Sequence, residues 1–424
     1  MWLLYQSALL LALALAAPVL LLGRGRHYLS TLRARLGREL PRSPGADPLW
    51  IHAVSVGEVV VATTLIRALP AGLPVVLTTV TPTGQARARQ LLGERCALGY
   101  LPFDLSFALR RFLDRTSPRA LVLVEGELWP LLLRHLHRRG IPVRMINGRI
   151  SDRSYGRMRG LRPLLGPLHR GVERFGVQTE EDRERLMALG VGAGRVTVTG
   201  NLKFEVRAPE QLPEVEGLIR GAAAGRAVLV AGSTMPGEEQ QVLDAWRSLQ
   251  ETGASTLLLL APRHPERCAA VTEMVARRGA AVMLRSALDR PTAAEPPDVV
   301  VLDTLGELAS LYRLGAGVFV GGTLVATGGH NPLEASVHGV PVAVGPSMEN
   351  FREMAETFDR ASAWRRVADA RELAEAWSEW LAKPEVARRL GAAGRALIDA
   401  NRGALERTLD LVAPLLRQRP EAGR

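Results

Sequence analysis
Cysteine is nearly absent from this chain, and lysine almost so. Cys96 and Cys268 lie far apart, with no C-x-x-C pair, so neither a disulfide framework nor a cysteine-based zinc site is encoded. Two isolated thiols suit a reducing compartment, each as a small core residue. Lys203 and Lys383 are the only lysines, so arginine carries nearly all of the positive charge behind a net +11. Arginine abundance by itself argues little. No RNA- or DNA-binding motif and no interleaving of aromatic with basic residues accompanies it, which excludes a nucleic-acid partner. Anionic headgroups or a phosphorylated substrate fit the charge better.

Charge of either sign is missing from Met1 to Leu22. At about 1.5 Å per residue such a run just crosses a hydrocarbon core of about 30 Å. Arg24, Arg26, His27, Arg33, Arg35 and Arg38 follow at once. A secretory signal carries its charge before the apolar run, and here the order is reversed. The expectation is an uncleaved anchor over residues 1–23 in the inner membrane, with everything beyond it on the cytoplasmic side. The alternative is a helix lying in the interface, its apolar face broken by Gln6, Ser7 and Pro18.

A length of 424 residues suits two domains, and 47% apolar with 23% charged residues is globular. After Pro48 short β-rich runs alternate with helical patterns, which reads as βαβ units on parallel sheets. Strands are expected at Trp50–Val54, Val75–Val80, Ala120–Val124, Val143–Ile146, Arg174–Val177 and Val196–Val198. The pattern lapses over residues 208–225, where prolines and a Gly/Ala run suggest a linker. It resumes with Ala227–Val230, Thr256–Leu260, Ala281–Leu284, Val299–Leu302, Gly317–Val320 and Val342–Val344. The tail from Ala370 to Leu416 reads as helix, broken at Lys383-Pro384. The chain is thus read as α/β: two Rossmann-like, doubly wound domains over 24–207 and 226–424, facing across a cleft at the carboxyl ends of their strands.

Several strings fall at strand ends. In W-I-H-A-V-S-V-G-E, Glu58 sits at a helix N-terminus, where it either complements the dipole or acts as a general base. The dipole favours its ionised form and so weakens it as a base. Glu125-Gly126-Glu127 either chelates a metal or caps the following helix. Asn147-Gly148-Arg149 is a turn or an anion pocket. Lys203 in T-G-N-L-K-F either meets a donor's negative charge or is a solvated surface lysine. In the second half, Ala231-Gly232-Ser233-Thr234 leaves backbone N–H groups open to an anion. Arg263 in P-R-H-P can fork onto a phosphate, and Leu305-Gly306-Glu307-Leu308 opens a helix. The loop Gly328-Gly329-His330-Asn331-Pro332-Leu333-Glu334 has capping-box spacing: Asn331 as N-cap, Pro332 at N1 and Glu334 at N3. The same loop can seat a phosphate, with Glu334 accepting from ribose hydroxyls. A Glu334 turned back to its cap cannot do both.

Together, H-A-V-S-V-G-E, T-P-T-G, E-G-E-L-W-P, Q-T-E-E-D, V-T-V-T-G-N-L-K-F, A-P-R-H-P-E-R, D-T-L-G-E-L and G-G-H-N-P-L-E-A closely resemble the 3-deoxy-D-manno-octulosonic acid (Kdo) transferases of lipopolysaccharide synthesis. The resemblance implies the GT-B fold, CMP-Kdo as donor, a lipid A precursor as acceptor, inversion at the transferred sugar, and no required metal or other cofactor. It implies Glu58 as the base, with Glu125 and Lys203 stabilising the transition state. It places CMP contacts on Pro262, Arg263, Leu305, Gly306 and Glu307, and on Asn331, Pro332, Leu333 and Glu334. Two departures are small: Gly126 stands where relatives can carry threonine, and Leu305 where methionine can occur.

Overall fold
The computed structural model describes residues 30–39, 41, 45–160, 169–206, 211–289 and 295–416, with a few positions before residue 16. The chain divides into two compact units, one of Met1–Glu205 with Asn401–Arg424 and one of Val206–Ala400.

In the first unit, β1 (Leu49–His52), β2 (Val75–Thr79), β3 (Ala97–Tyr100), β4 (Ala120–Val124), β5 (Val143–Gly148), β6 (Arg174–Val177) and β7 (Val196–Val198) form one sheet. Its order is β3-β2-β1-β4-β5-β6-β7, with each neighbouring pair parallel. Runs such as Ala-Leu-Val-Leu-Val in β4 are buried throughout, because helices cover both faces of a parallel sheet. The order reverses between β1 and β4, and that switch point opens a crevice at the carboxyl ends.

In the second unit, β8 (Ala227–Thr234), β9 (Thr256–Pro262), β10 (Val282–Leu284), β11 (Val299–Val301), β12 (Gly315–Val320), β13 (Val342–Val344) and β14 (Arg365–Arg366) form a second parallel sheet. Its order is β10-β11-β9-β8-β12-β13-β14, reversing between β8 and β12.

Three sequence expectations change here. The expected linker contains the helix Pro213–Ala223, with Ile219 fully buried and Glu216 accepting from Ser310 Oγ and Arg313 at 3.2 Å each. Ile219, Ala222 and Ala223 form its packed face, while Gly217 and Gly221 are exposed. The second domain was expected to run to residue 424, yet the chain from Asn401 onward belongs to the first unit. Ala404, Val412 and Leu415 enter that unit's core. Asn401 Oδ1 accepts from Asn201 N at 2.8 Å, and Arg407 Nε donates to Thr199 O at 3.0 Å. Gly200, at φ 87°, admits this return: a Cβ there would meet Ala404 Cβ at 3.1 Å.

Arg35 is the third. Expected in the basic rim after the apolar run, it is buried, with Nε donating to Thr31 Oγ1 at 3.0 Å and the guanidinium 5.3 Å over the Tyr100 ring. Most of the expected anchor lies outside the described residues. Tyr5, which is described, donates its hydroxyl to Asp104 Oδ2 at 2.9 Å. No helix among the described residues is long and apolar enough to cross a membrane.

Candidate active site
The turn after β1 is built from capping chemistry. Ser55 is the N-cap of the helix Val56–Ala68, its Oγ accepting from Glu58 N at 3.5 Å. The Glu58 carboxylate reaches back: Oε2 accepts from Val54 N at 2.8 Å, and Oε1 from Ser55 Oγ at 3.2 Å. A second helix, Pro82–Leu92, presses its first turn on this one. Gly84 makes that fit, since a Cβ on it would lie 2.8 Å from Thr81 Oγ1 and 3.5 Å from Val54 O.

Glu58 is 9% exposed. Burial pushes its carboxyl up to about 7, and the charges of Glu125 and Glu127 add to that, against the Val54 and Ser55 hydrogen bonds. The dipole argument expected a weakened base. Desolvation reverses it and leaves a group that titrates near neutrality.

Glu125 follows β4 with φ 68°, and Asn147, next to last in β5, has φ 54°. Such left-handed backbone in non-glycine residues is strained and concentrates at functional sites. Lys203 Nζ lies 2.8 Å from Glu125 Oε1, the two side chains only 13% and 17% exposed. Asn147 Nδ2 donates to the same oxygen at 3.3 Å, and Asn147 Oδ1 accepts from Leu202 N at 2.8 Å. Gln178 Nε2 donates to Asn147 O at 3.1 Å, and Asn201 Nδ2 to Gln178 Oε1 at 3.0 Å. Residues at the carboxyl ends of β4, β5, β6 and β7 thus form one network. A Cβ on Gly57 would lie 3.4 Å from Lys203 Nζ, which puts the ammonium against the turn that carries Glu58.

Lys203 is therefore no solvated surface lysine, and Glu125 does not cap the next helix. Asp104 does that from a distance, accepting from Leu131 N at 2.9 Å and Leu132 N at 2.8 Å. No cluster of three metal-ligating side chains occurs among the described residues.

In the second unit the named residues also gather at strand ends. Pro262 closes β9, and the exposed Arg263 is held through its N–H by Thr234 O at 2.9 Å. The Arg263 charge reaches both His330 and Glu334. Gly322, at φ 71°, lies under the His330 ring, where a Cβ would sit 2.8 Å from Cδ2.

Only half of the expected capping box forms. The regular helix is only Leu333–Ser336, and Pro332 before it offers no side-chain cap, so the cap comes from Asn331. Asn331 Oδ1 accepts from Leu333 N at 3.1 Å. Glu334 hydrogen-bonds the Asn331 side chain, while burial raises its carboxyl and Arg263 pulls it down. A four-residue helix has little dipole, so a phosphate here depends on Arg263 and loop N–H groups. Leu333 is 1% exposed and Pro332 buried, so neither side chain is open to a ligand.

Leu305 is 82% exposed, and Gly306 has φ 86°. The Glu307 carboxylate is already committed: Arg285 Nη2 donates to Oε1 at 3.0 Å and Thr304 Oγ1 to Oε2 at 2.5 Å. Its side chain is not open to a ligand. The sequence reading also missed Tyr312, which is 1% exposed beneath the Gly232-Ser233 turn. A Cβ on Gly232 would fall 2.1 Å from its hydroxyl oxygen.

A family model described as 3-deoxy-D-manno-octulosonic-acid transferase (kdotransferase) matches residues 30–206. A curated 3-deoxy-D-manno-octulosonic acid transferase from Bordetella pertussis is 39% identical, with 89% of this chain and 90% of that one covered. The chain belongs to the Kdo transferases. Another such transferase, from Haemophilus influenzae, is 34% identical with 98% of this chain and 99% of that one covered. Among solved structures, the C-terminal CMP-Kdo binding domain of WaaA from Acinetobacter baumannii is 31% identical. It aligns with 44% of this chain and 96% of its own, at a TM-score of 0.41. As a Kdo transferase, the chain is a glycosyltransferase of lipopolysaccharide biosynthesis.

Proposed function
We propose that this Kdo transferase moves Kdo from CMP-Kdo to a hydroxyl of a lipid A precursor, lipid IVA, by direct displacement with inversion. The observation that carries the reading is the buried Glu58 carboxylate, pushed up to about 7, together with a largely buried Lys203–Glu125 pair at the carboxyl ends of the same sheet's strands. Glu58 accepts the proton of the attacking hydroxyl. A bond forms from that oxygen to the anomeric carbon while the bond to the CMP phosphate breaks with oxocarbenium character, its electrons leaving on the phosphate. Lys203, oriented by Glu125, faces negative charge at the reacting centre. In the second unit Arg263 meets the phosphate, the loop around Asn331 supplies backbone donors, and Glu334 accepts from the ribose. Leu305, Gly306 and Pro262 line the nucleotide by apolar and backbone contacts. No metal or other cofactor is invoked.

Incubating the chain with CMP-Kdo and tetraacylated lipid A precursor, followed by mass spectrometry, tests the reading. Acceptor carrying one or more Kdo masses is expected. Transfer from a UDP-sugar instead, or none from CMP-Kdo, would overturn it.

The uncharged run Met1–Leu22 and the arginines after it support an N-terminal anchor in the inner membrane, with both α/β units on the cytoplasmic side. Leu10, Leu11 and Leu15 are 50%, 61% and 70% exposed, apolar surface in want of a lipid partner. Deleting residues 1–22 is expected to move most of the protein from the membrane pellet to the supernatant. Unchanged pelleting would remove the anchor from the account.

A further inference from the structure
Two adjacent glutamates open the helix Glu238–Glu251, and both are fully buried. Carboxylates at a helix start ordinarily face water, where the dipole favours them. These two are instead saturated with hydrogen bonds, and each bonds to a different loop of the nucleotide site.

Glu238 accepts four backbone N–H groups, about as many as a carboxylate can hold. Oε2 takes Met235 N at 2.8 Å and Gly322 N at 2.6 Å; Oε1 takes Thr323 N and Leu324 N at 2.8 Å each. The hold passes directly to the glycine-rich loop. Gly322 O accepts from Gly329 N at 2.8 Å and from Thr327 Oγ1 at 2.9 Å, and His330 packs on Gly322. Thr323 O accepts from Ser347 N at 2.9 Å, whose Oγ accepts from Gly328 N at 2.9 Å.

Glu239 holds the other loop. It accepts from Thr234 Oγ1 at 3.1 Å and from both ends of the Arg267 fork, at 2.5 and 3.3 Å. Thr234 in turn fixes Arg263 through its carbonyl.

We propose that Glu238 and Glu239 are a positioning pair that sets the glycine-rich loop carrying His330-Asn331 at a fixed reach from the loop carrying Arg263. The pair touches no substrate. Being neighbours on one helix turn, the two carboxylates keep the phosphate-facing guanidinium and the loop donors in one rigid frame. The proposal rests on the reading that the second unit binds a cytidine nucleotide. Glutamine has nearly the same shape but only one acceptor oxygen. Glu238→Gln therefore turns an amide NH2 toward two N–H donors, and the loop must shift to relieve them.

The test uses the full chain. Calorimetric titration of wild type with CMP and with cytidine comes first, followed by the same titrations of Glu238→Gln and Glu239→Gln. Glu238→Gln is expected to raise both the CMP Kd and the donor KM by about tenfold to 10²-fold, the scale of leaving buried N–H donors unpaired. The acceptor KM stays unchanged. Faster hydrogen exchange stays confined to residues 322–333. Glu239→Gln is expected to weaken CMP more than cytidine, because its loop carries the arginine for the phosphate.

CMP affinity and donor KM within about twofold of wild type in both variants would overturn the proposal. So would faster exchange throughout the unit with no bias between donor and acceptor, since that marks general support of the fold. A wild-type chain that ignores CMP would overturn the nucleotide reading. The hydrogen-exchange pattern then still decides whether the pair sets the two loops.

Discussion
Glu58→Gln is expected to lower kcat for Kdo transfer by about 10²–10⁴-fold, the range for losing a general base. CMP affinity should not change, because the substitution is confined to the first unit. Glutamine is preferred to alanine because the Glu58 carboxylate also holds Val54 N and Ser55 Oγ, and one amide oxygen keeps part of that hold. Stability moves the other way. The folded protein raises this carboxyl from 4.5 to about 7, so it disfavours the ionised form. The resulting destabilisation is absent below the unfolded value, grows as pH rises toward 7 and is complete above it, at up to roughly 3 kcal/mol. At pH 8 the glutamine variant should therefore melt no earlier than wild type, and the gap should close as pH falls to about 4. An inactive variant that also unfolds early at pH 8 would make Glu58 a structural cap.

Lys203→Ala is expected to lower kcat by about 10²–10³-fold, as removal of one preorganised charge donor does. It also leaves the Glu125 carboxylate, 17% exposed, without its cation. Breaking such a pair from one side costs about 3 kcal/mol, much of it from the stranded charge. Adding Glu125→Gln should then recover stability but not turnover. That split, read from melting curves and steady-state rates on the same samples, separates charge at the reacting centre from packing. Recovery of both together would reduce Lys203 to a structural partner.

Much of this architecture is legible in the chain because parallel strands buried on both faces are continuous apolar runs. Val75–Thr79, Ala120–Val124, Val299–Val301 and Val342–Val344 declare themselves that way. Two edge strands do not. Ala97–Tyr100 is half-buried and holds a glycine, while Arg365–Arg366 is a two-residue arginine pair. Edge strands need no apolar run, so periodicity passes over them. The helix Pro213–Ala223 was hidden by composition, since a proline at the first turn and a Gly/Ala run at the end read alike in a spacer and in a helix.

The site residues show the same division. Position at a strand end pointed to Glu58, Glu125, Lys203 and Arg263. Their state did not follow, because it depends on contacts distant in sequence. Burial overrides the helix dipole at Glu58, and Lys203 finds Glu125 across 78 residues. Glu238 is the sharpest case. Its bonds to Gly322, Thr323 and Leu324 span more than 80 residues, and a glutamate in a helix's first turn carries no mark of them.

The measurement that bears most directly on the account is the pH dependence of kcat/KM for transfer from CMP-Kdo, in wild type and Glu58→Gln. That ratio reports the ionisation of the free enzyme. The wild type should rise along one acidic limb with its midpoint near 7, and the residual activity of the variant should lack that limb. The same limb persisting in the variant, or a wild-type midpoint at an ordinary carboxylate value near 4.5, would contradict the assignment of Glu58 as the base.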